Sequence, residues 1–145
     1  LATALMNRGL AYAERYQFPK ALADFNQVVA IRQKLLVARR LRDENDLAEA
    51  FMNRGKTYGH MHRVKKALDD LDKALHIIRS LLPERAFLIE RYIEYVYSLL
   101  NVKKENKRTK ALDEVVHELH ETLKQYELTE EAREWLDQIN ELLSR

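Results

Sequence analysis

Residues 1–12 read LATALMNRGLAY, and residues 47–58 read LAEAFMNRGKTY. Gly9 and Gly55 stand 46 residues apart, and the correspondence continues at that interval. Lys20-Ala21-Leu22 returns as Lys66-Ala67-Leu68, Asp24 as Asp70, Ile31 as Ile77, and Leu35-Leu36 as Leu81-Leu82. Self-similarity at a fixed interval marks an array of like structural units that bury their apolar faces against one another. Such arrays present extended binding surfaces more often than reaction centres.

Composition supports an all-helical array. Of the 145 residues, 46% are apolar and a third are charged, which suits a soluble domain able to bury a core. Glycine (three) and proline (two) are scarce, while alanine, leucine, glutamate, lysine and arginine dominate. A net charge of +2 argues neither for nor against nucleic acid. The absence of cysteine excludes a disulfide framework and thiolate zinc sites, and suits a cytoplasmic home. No apolar run approaches the roughly 20 residues that span a bilayer, and no signal peptide is visible. The chain starts at Leu1, inside a repeat phrase and without an initiator methionine, so it reads as a piece of a longer chain.

The three-to-four spacing of Ala2, Leu5, Gly9, Tyr12 and Ala13 predicts a helix over 2–15. Glycine inside a helix costs about 1 kcal/mol relative to alanine. Its recurrence at one phase predicts a crossing helix backbone that leaves no room for a β-carbon. Pro19 opens a second helix, with Ala21, Leu22, Phe25, Val28, Val29, Ile31, Arg32, Leu35 and Leu36 as its apolar side. That helix is expected to run to about Arg42, carrying four-apart pairs Arg39–Asp43 and Arg40–Glu44 on a solvated face. Asp46 is the expected cap of the next helix, over about 47–60. The second unit then repeats the first, with a turn near His62-Arg63 and a helix that Pro83 ends.

The third unit is degenerate. Residues 84–101 predict a helix with Phe87, Ile89, Tyr92, Ile93, Val96 and Leu100 available for burial. Tyr92 and Tyr95 share a face and read as core, whereas Tyr97 points elsewhere. Lys110-Ala111-Leu112-Asp113 repeats the start of the earlier second helices and predicts a helix over about 106–126, after a basic loop at 102–110. Thr129 caps a last helix over 130–144, with Glu130 and Glu131 in its first turn and Trp135, Leu136, Ile139 and Leu142 as its stripe.

The series Leu5/Phe51, Gly9/Gly55, Tyr12/Tyr58, Ala21/Ala67, Phe25/Leu71 and Val28/Ala74 resembles the tetratricopeptide repeat. The resemblance covers residues 1–82 well and 84–126 weakly. The interval of 46 exceeds the family's usual 34, so the second helices are expected to be extended or followed by an insertion. The resemblance implies an all-α, right-handed solenoid of helical hairpins with about seven helices. Its units would be about 1–46, 47–83 and 84–126, forming an array over 1–126 that a capping helix in 127–145 closes.

The resemblance also implies a concave side lined by first helices, where a peptide or partner helix lies. It places Thr3, Met6, Asn7, Leu10, Ala13 and Glu14 there from one unit, and Glu49, Met52, Asn53, Lys56, Gly59 and His60 from the next. Asn7 and Asn53 matter most, because an amide offers both a donor and an acceptor to a peptide backbone. Long-repeat relatives such as kinesin light chains use asparagines on this helix in that way. The carboxylate clamp of other relatives does not match, since its first pair would fall at Met6 and Leu10. The expected function is therefore a non-catalytic protein-binding module without metal or cofactor, with self-association or scaffolding within a larger protein as the alternative. His60 with His62, and His117 with His120, read as surface histidines; neither pair has the spacing of a helical zinc protease. Lys103, Lys104, Lys107, Arg108 and Lys110 form a basic cluster without interleaved aromatics, so nucleic acid is not the expected partner.

Overall fold

A computed structural model describes residues 1–107 and 112–145. Among these, the chain is all-α, with seven α-helices and no strand: α1 (Ala2–Glu14), α2 (Phe18–Val37), α3 (Glu44–His60), α4 (Val64–Leu81), α5 (Ile89–Glu105), α6 (Leu112–Leu123) and α7 (Glu130–Ser144). One turn of 3-10 helix, Ala86–Leu88, precedes α5. The helices form two compact units, Leu1–Ile77 and Ile78–Arg145.

In the first unit α1 packs antiparallel to α2, and α3 packs on α2. Most of the expected apolar positions form the core: Leu5, Ala21, Leu22, Phe25, Val28 and Val29 are buried, as are Phe51, Tyr58, Ala67, Leu71, Ala74 and Leu75, whereas Tyr12, Ile31, Leu35 and Leu68 are half-buried and Leu36 is exposed. The glycines sit where α1 meets α2 and α3 meets α4, but side chains rather than a crossing backbone fill the space. A β-carbon on Gly9 would lie 2.6 Å from Cε1 of Phe25, and one on Gly55 would lie 3.1 Å from Cβ of Asp70 and from Leu71.

The helix ends differ from the sequence reading. The second helix stops at Val37, not Arg42, so Arg39 and Arg40 lie beyond it and the expected four-apart pairs have no helical face. Arg39 turns to φ 55°, and the amides of Arg39 and Arg40 close on the carbonyls of Leu36 and Leu35. Tyr16 and His62 end α1 and α3 in the same way, at φ 58° and 59°. This double closure satisfies last-turn carbonyls and usually takes a glycine. Here a tyrosine, an arginine and a histidine hold the left-handed position, so the sequence carries no stop signal. The third helix begins earlier than expected, with Asp43 as its cap: Oδ1 of Asp43 accepts from the amide of Asn45 at 2.9 Å. Asp46 instead lies inside α3, and its carbonyl accepts from Nη1 of buried Arg32 at 2.6 Å.

In the second unit α5 packs against α6 and α7. Tyr92, Ile93, Tyr95, Val96, Leu99 and Leu100 are buried, whereas Tyr97 is half-buried and its ring lies 5.6 Å from that of Trp135. Phe87, expected in the core, is 78% exposed, because the 3-10 turn that holds it precedes the packed part of the helix. The fifth helix also runs on to Glu105, over the first four residues of the expected loop at 102–110. Lys104 thereby reaches α7, where its ammonium donates to the carbonyls of Leu142 and Arg145. Residues 108–111, with Arg108, Lys110 and Ala111, lie outside the described residues. Thr129 caps α7 as expected, its Oγ1 accepting from the amide of Ala132 at 3.1 Å.

Candidate functional site

The first helices of the two N-terminal hairpins lie side by side. Nδ2 of Asn53 on α3 reaches Sδ of Met6 on α1 at 3.5 Å, which ties the two expected groove strips together. Along α1, Thr3, Asn7 and Glu14 are exposed and Leu10 and Ala13 half-buried. Along α3, Glu49, Asn53, Lys56 and Gly59 are half-buried and His60 exposed. Met6 and Met52 are buried, at 3% and 2% exposure, so their side chains belong to the packing and not to the open surface.

The two asparagines differ in how much of their amide the fold uses. Among the described residues Asn7 makes no side-chain hydrogen bond, and Asn53 makes only the weak one to sulfur. The carbonyl oxygens of both therefore keep their accepting capacity. His60, at the end of α3, stacks on Phe18 at the start of α2, with ring centroids 4.8 Å apart and planes within 4°. Tyr16 meets the same Phe18 edge-on at 6.0 Å.

The charged scaffold behind this surface is duplicated, and the sequence reading did not find it. Arg8 Nε and Nη2 donate to Asp24 Oδ2 and Oδ1 at 2.8 and 2.7 Å. Arg54 does the same to Asp70 at 2.8 and 2.9 Å. Each fork joins the first helix of a hairpin to the second, with the carboxylate buried. The Arg8 guanidinium, through these hydrogen bonds, holds the Asp24 carboxyl below the usual carboxylate range. Asp70 in turn, through its hydrogen bonds, raises the Arg54 guanidinium above its ordinary value. Each arginine also faces the ring four residues on. Tyr12 lies between Arg8 at 5.8 Å and Lys20 at 5.6 Å. Tyr58 lies between Arg54 at 5.9 Å and Lys66 at 5.6 Å. A cation over an aromatic face contributes about 0.5–1 kcal/mol at exposed sites. Arginine, tyrosine, lysine and aspartate all recur at the 46-residue interval, so the pairing was written in the repeat. A charge that recurs in both helices of a hairpin was the available signal.

Among the described residues no group of three or more histidine, aspartate or glutamate side chains is arranged to hold a metal ion, and no helix is long and apolar enough to cross a membrane. Open hollows on α4, about 480 and 310 Å³, are lined by Lys65, Leu68 and Asp69 in one case and by Phe51, Lys73 and His76 in the other. They are open to solvent, unlike the enclosed pockets that hold small molecules.

No curated protein and no solved structure matches the chain with significance. Residues 1–46 match the family model described as Tetratricopeptide repeat. The match spans the hairpin of α1 and α2 and the start of α3, where the glycine, the tyrosine and the arginine–aspartate fork stand. Among the described residues the strand-free fold of helical hairpins agrees with that match, which covers residues 1–46 of 145: that segment is similar to a tetratricopeptide repeat.

Proposed function

We propose that the chain is a non-catalytic module that holds an extended peptide or a partner helix along the strip formed by α1 and α3. Tetratricopeptide repeats are in general protein–protein interaction modules, which supplies the class of function. The finer reading rests on one observation: Asn7 and Asn53 recur at one phase of neighbouring helices with amide capacity that the fold leaves unspent. Thr3, Leu10 and Glu14 flank one asparagine, and Glu49, Lys56 and His60 the other, with Met6 and Met52 buried beneath them. A strand-like peptide repeats its backbone direction every two residues, so two amides in line can hold it at two points. The glutamates and the lysine add charge selectivity at the edges. A cytosolic setting suits a chain without cysteine.

The test uses a peptide selected from a random library on the unmodified chain. Each neutral hydrogen bond contributes about 0.5–1.5 kcal/mol net, so Asn7→Ala with Asn53→Ala should weaken its Kd by roughly ten- to a hundredfold. The Tm should stay nearly unchanged. A double variant that melts markedly lower, yet binds the peptide with the original affinity, would assign these asparagines to the packing and refute the groove.

A further inference from the structure

We propose that the end of α2 and the turn after it, residues 34–42, dock on an anionic phospholipid surface. Leu36 and Val37 enter the headgroup layer, and Lys34, Arg39, Arg40 and Arg42 pair with lipid phosphates. The stretch reads KLLVARRLR. Val37 is 85% exposed and Leu36 36%. Residues 36–40 are all exposed, the longest such run among the described residues, and Lys34 and Arg42 are exposed on either side. None of these four cations makes an ion pair or a side-chain hydrogen bond among the described residues. Arg8, Arg32, Arg54 and Arg79, by contrast, each bond a carboxylate or a carbonyl.

The turn holds its cations on a fixed backbone. Arg39 stands at φ 55°, and the amides of Arg39, Arg40 and Leu41 close on the carbonyls of Leu36 and Leu35. Asp43, Glu44 and Asp46 follow, but they stand at the start of α3, where the helix dipole favours carboxylates and Asp43 accepts from the amide of Asn45. The repeat does not account for the patch. At the 46-residue interval Lys34, Arg40 and Arg42 become Ser80, Ala86 and Leu88. Leu36 becomes Leu82, which is 1% exposed.

Three properties favour lipid over other polyanions. Exposed ion pairs to a flexible acidic peptide gain little, because both side chains must be ordered. An anionic leaflet presents many phosphates at once, and each nearby lysine or arginine adds to the attraction; the guanidinium fork also matches phosphate geometry. Leu36 and Val37 need no shaped groove in a soft interfacial layer, which takes up apolar side chains beside cations. Nucleic acid offers phosphates but no such layer, and residues 33–46 carry no aromatic ring on which a base could stack. The contact is peripheral and uses none of the residues of the peptide strip, so it stands or falls apart from that proposal.

The experiment sediments the 145-residue chain with vesicles of phosphatidylcholine, pure or mixed in equal parts with phosphatidylglycerol. The chain should bind the mixed vesicles, leave the pure ones, and be released by salt. A cation near an anionic leaflet contributes roughly fivefold, so replacing Arg39, Arg40 and Arg42 together by glutamine should weaken binding by roughly a hundredfold. Val37→Ser should weaken it by roughly tenfold. Glutamine at Arg15, Arg63 and Lys65 removes the same charge where α1 and α3 end and α4 begins, and should cost less than about fivefold. Circular dichroism of all variants should match the parent; if the arginine variant loses helicity, Val37→Ser alone decides. No binding to the mixed vesicles, equal binding to both kinds, equal losses in the two triple variants, or full binding by Val37→Ser overturns the proposal. Polyglutamate held by the same arginines while vesicles stay unbound would assign the patch to an acidic protein and equally overturn it.

Discussion

Alanine at the two repeat glycines should have different consequences, although the surrounding phrases are nearly identical. A β-carbon on Gly9 would lie 2.6, 2.9 and 3.1 Å from three atoms of the Phe25 ring. Ordinary carbon contacts are about 3.5–4.0 Å, so the ring would have to retreat by roughly 1 Å. Phe25 is 1% exposed and has nowhere to go. Overpacking of this kind costs about 1–3 kcal/mol, against a gain of about 1 kcal/mol from helix propensity. Gly9→Ala should therefore destabilise by about 1 kcal/mol. In a chain of this size that lowers Tm by about 2–4 °C. At Gly55 the nearest atoms, Cβ of Asp70 and Cδ2 and Cγ of Leu71, all lie at 3.1 Å, so they need to give by only a few tenths of an ångström. There the propensity gain should balance the crowding and leave ΔG within about 0.5 kcal/mol of the parent. Urea unfolding followed by far-UV circular dichroism measures both. The decisive control is Phe25→Leu in the Gly9→Ala background, which gives the first hairpin the pairing of the Gly55→Ala variant. It should recover stability with a coupling of about 0.5–3 kcal/mol, the range for residues in contact. If Gly9→Ala is as stable as Gly55→Ala, or Phe25→Leu gives no recovery, the volume argument is wrong.

Two further outcomes follow from the charges and caps. Asp24 has its carboxyl held below the usual range by Arg8, so its ion pair stabilises the fold above the unfolded carboxyl value of about 3.9 and ceases to do so as pH falls through the lower folded value. The urea midpoint should drop on acidification below about pH 4, and Asp24→Asn should flatten that part of the curve; an unchanged acid slope in the variant would exclude Asp24 as its source. Thr129→Ala removes the side-chain acceptor at the start of α7 and should cost about 1 kcal/mol, with faster exchange at the Ala132 amide and altered Trp135 emission as α7 frays from Tyr97. Normal protection at Ala132 in that variant would show that the cap does not hold the helix start.

The 46-residue interval and the spacing of apolar residues along each helix were enough to define the first two hairpins, most of the buried side of α1 to α5 and the cap of α7. Those properties are local: a face is a matter of periodicity along one helix, and a Thr129 cap acts within one turn. Tertiary structure decided the rest. Met6 and Met52 share the periodicity of the groove strip, yet neighbouring helices bury them, because the width of a buried face depends on how many helices pack around it. The ends of α1, α2 and α3 rest on Tyr16, Arg39 and His62 in the left-handed region, while among the described residues no glycine has positive φ. Glycine in this chain makes room for Phe25 and Leu71 instead of turning the backbone. A side chain with a β-carbon takes the left-handed position only when packing around the turn outweighs its strain, and no single stretch of sequence records that balance. The arginine–aspartate forks lie between these cases. Their four residues were legible as repeats, but a bond across 16 residues exists only once α1 folds onto α2 and α3 onto α4.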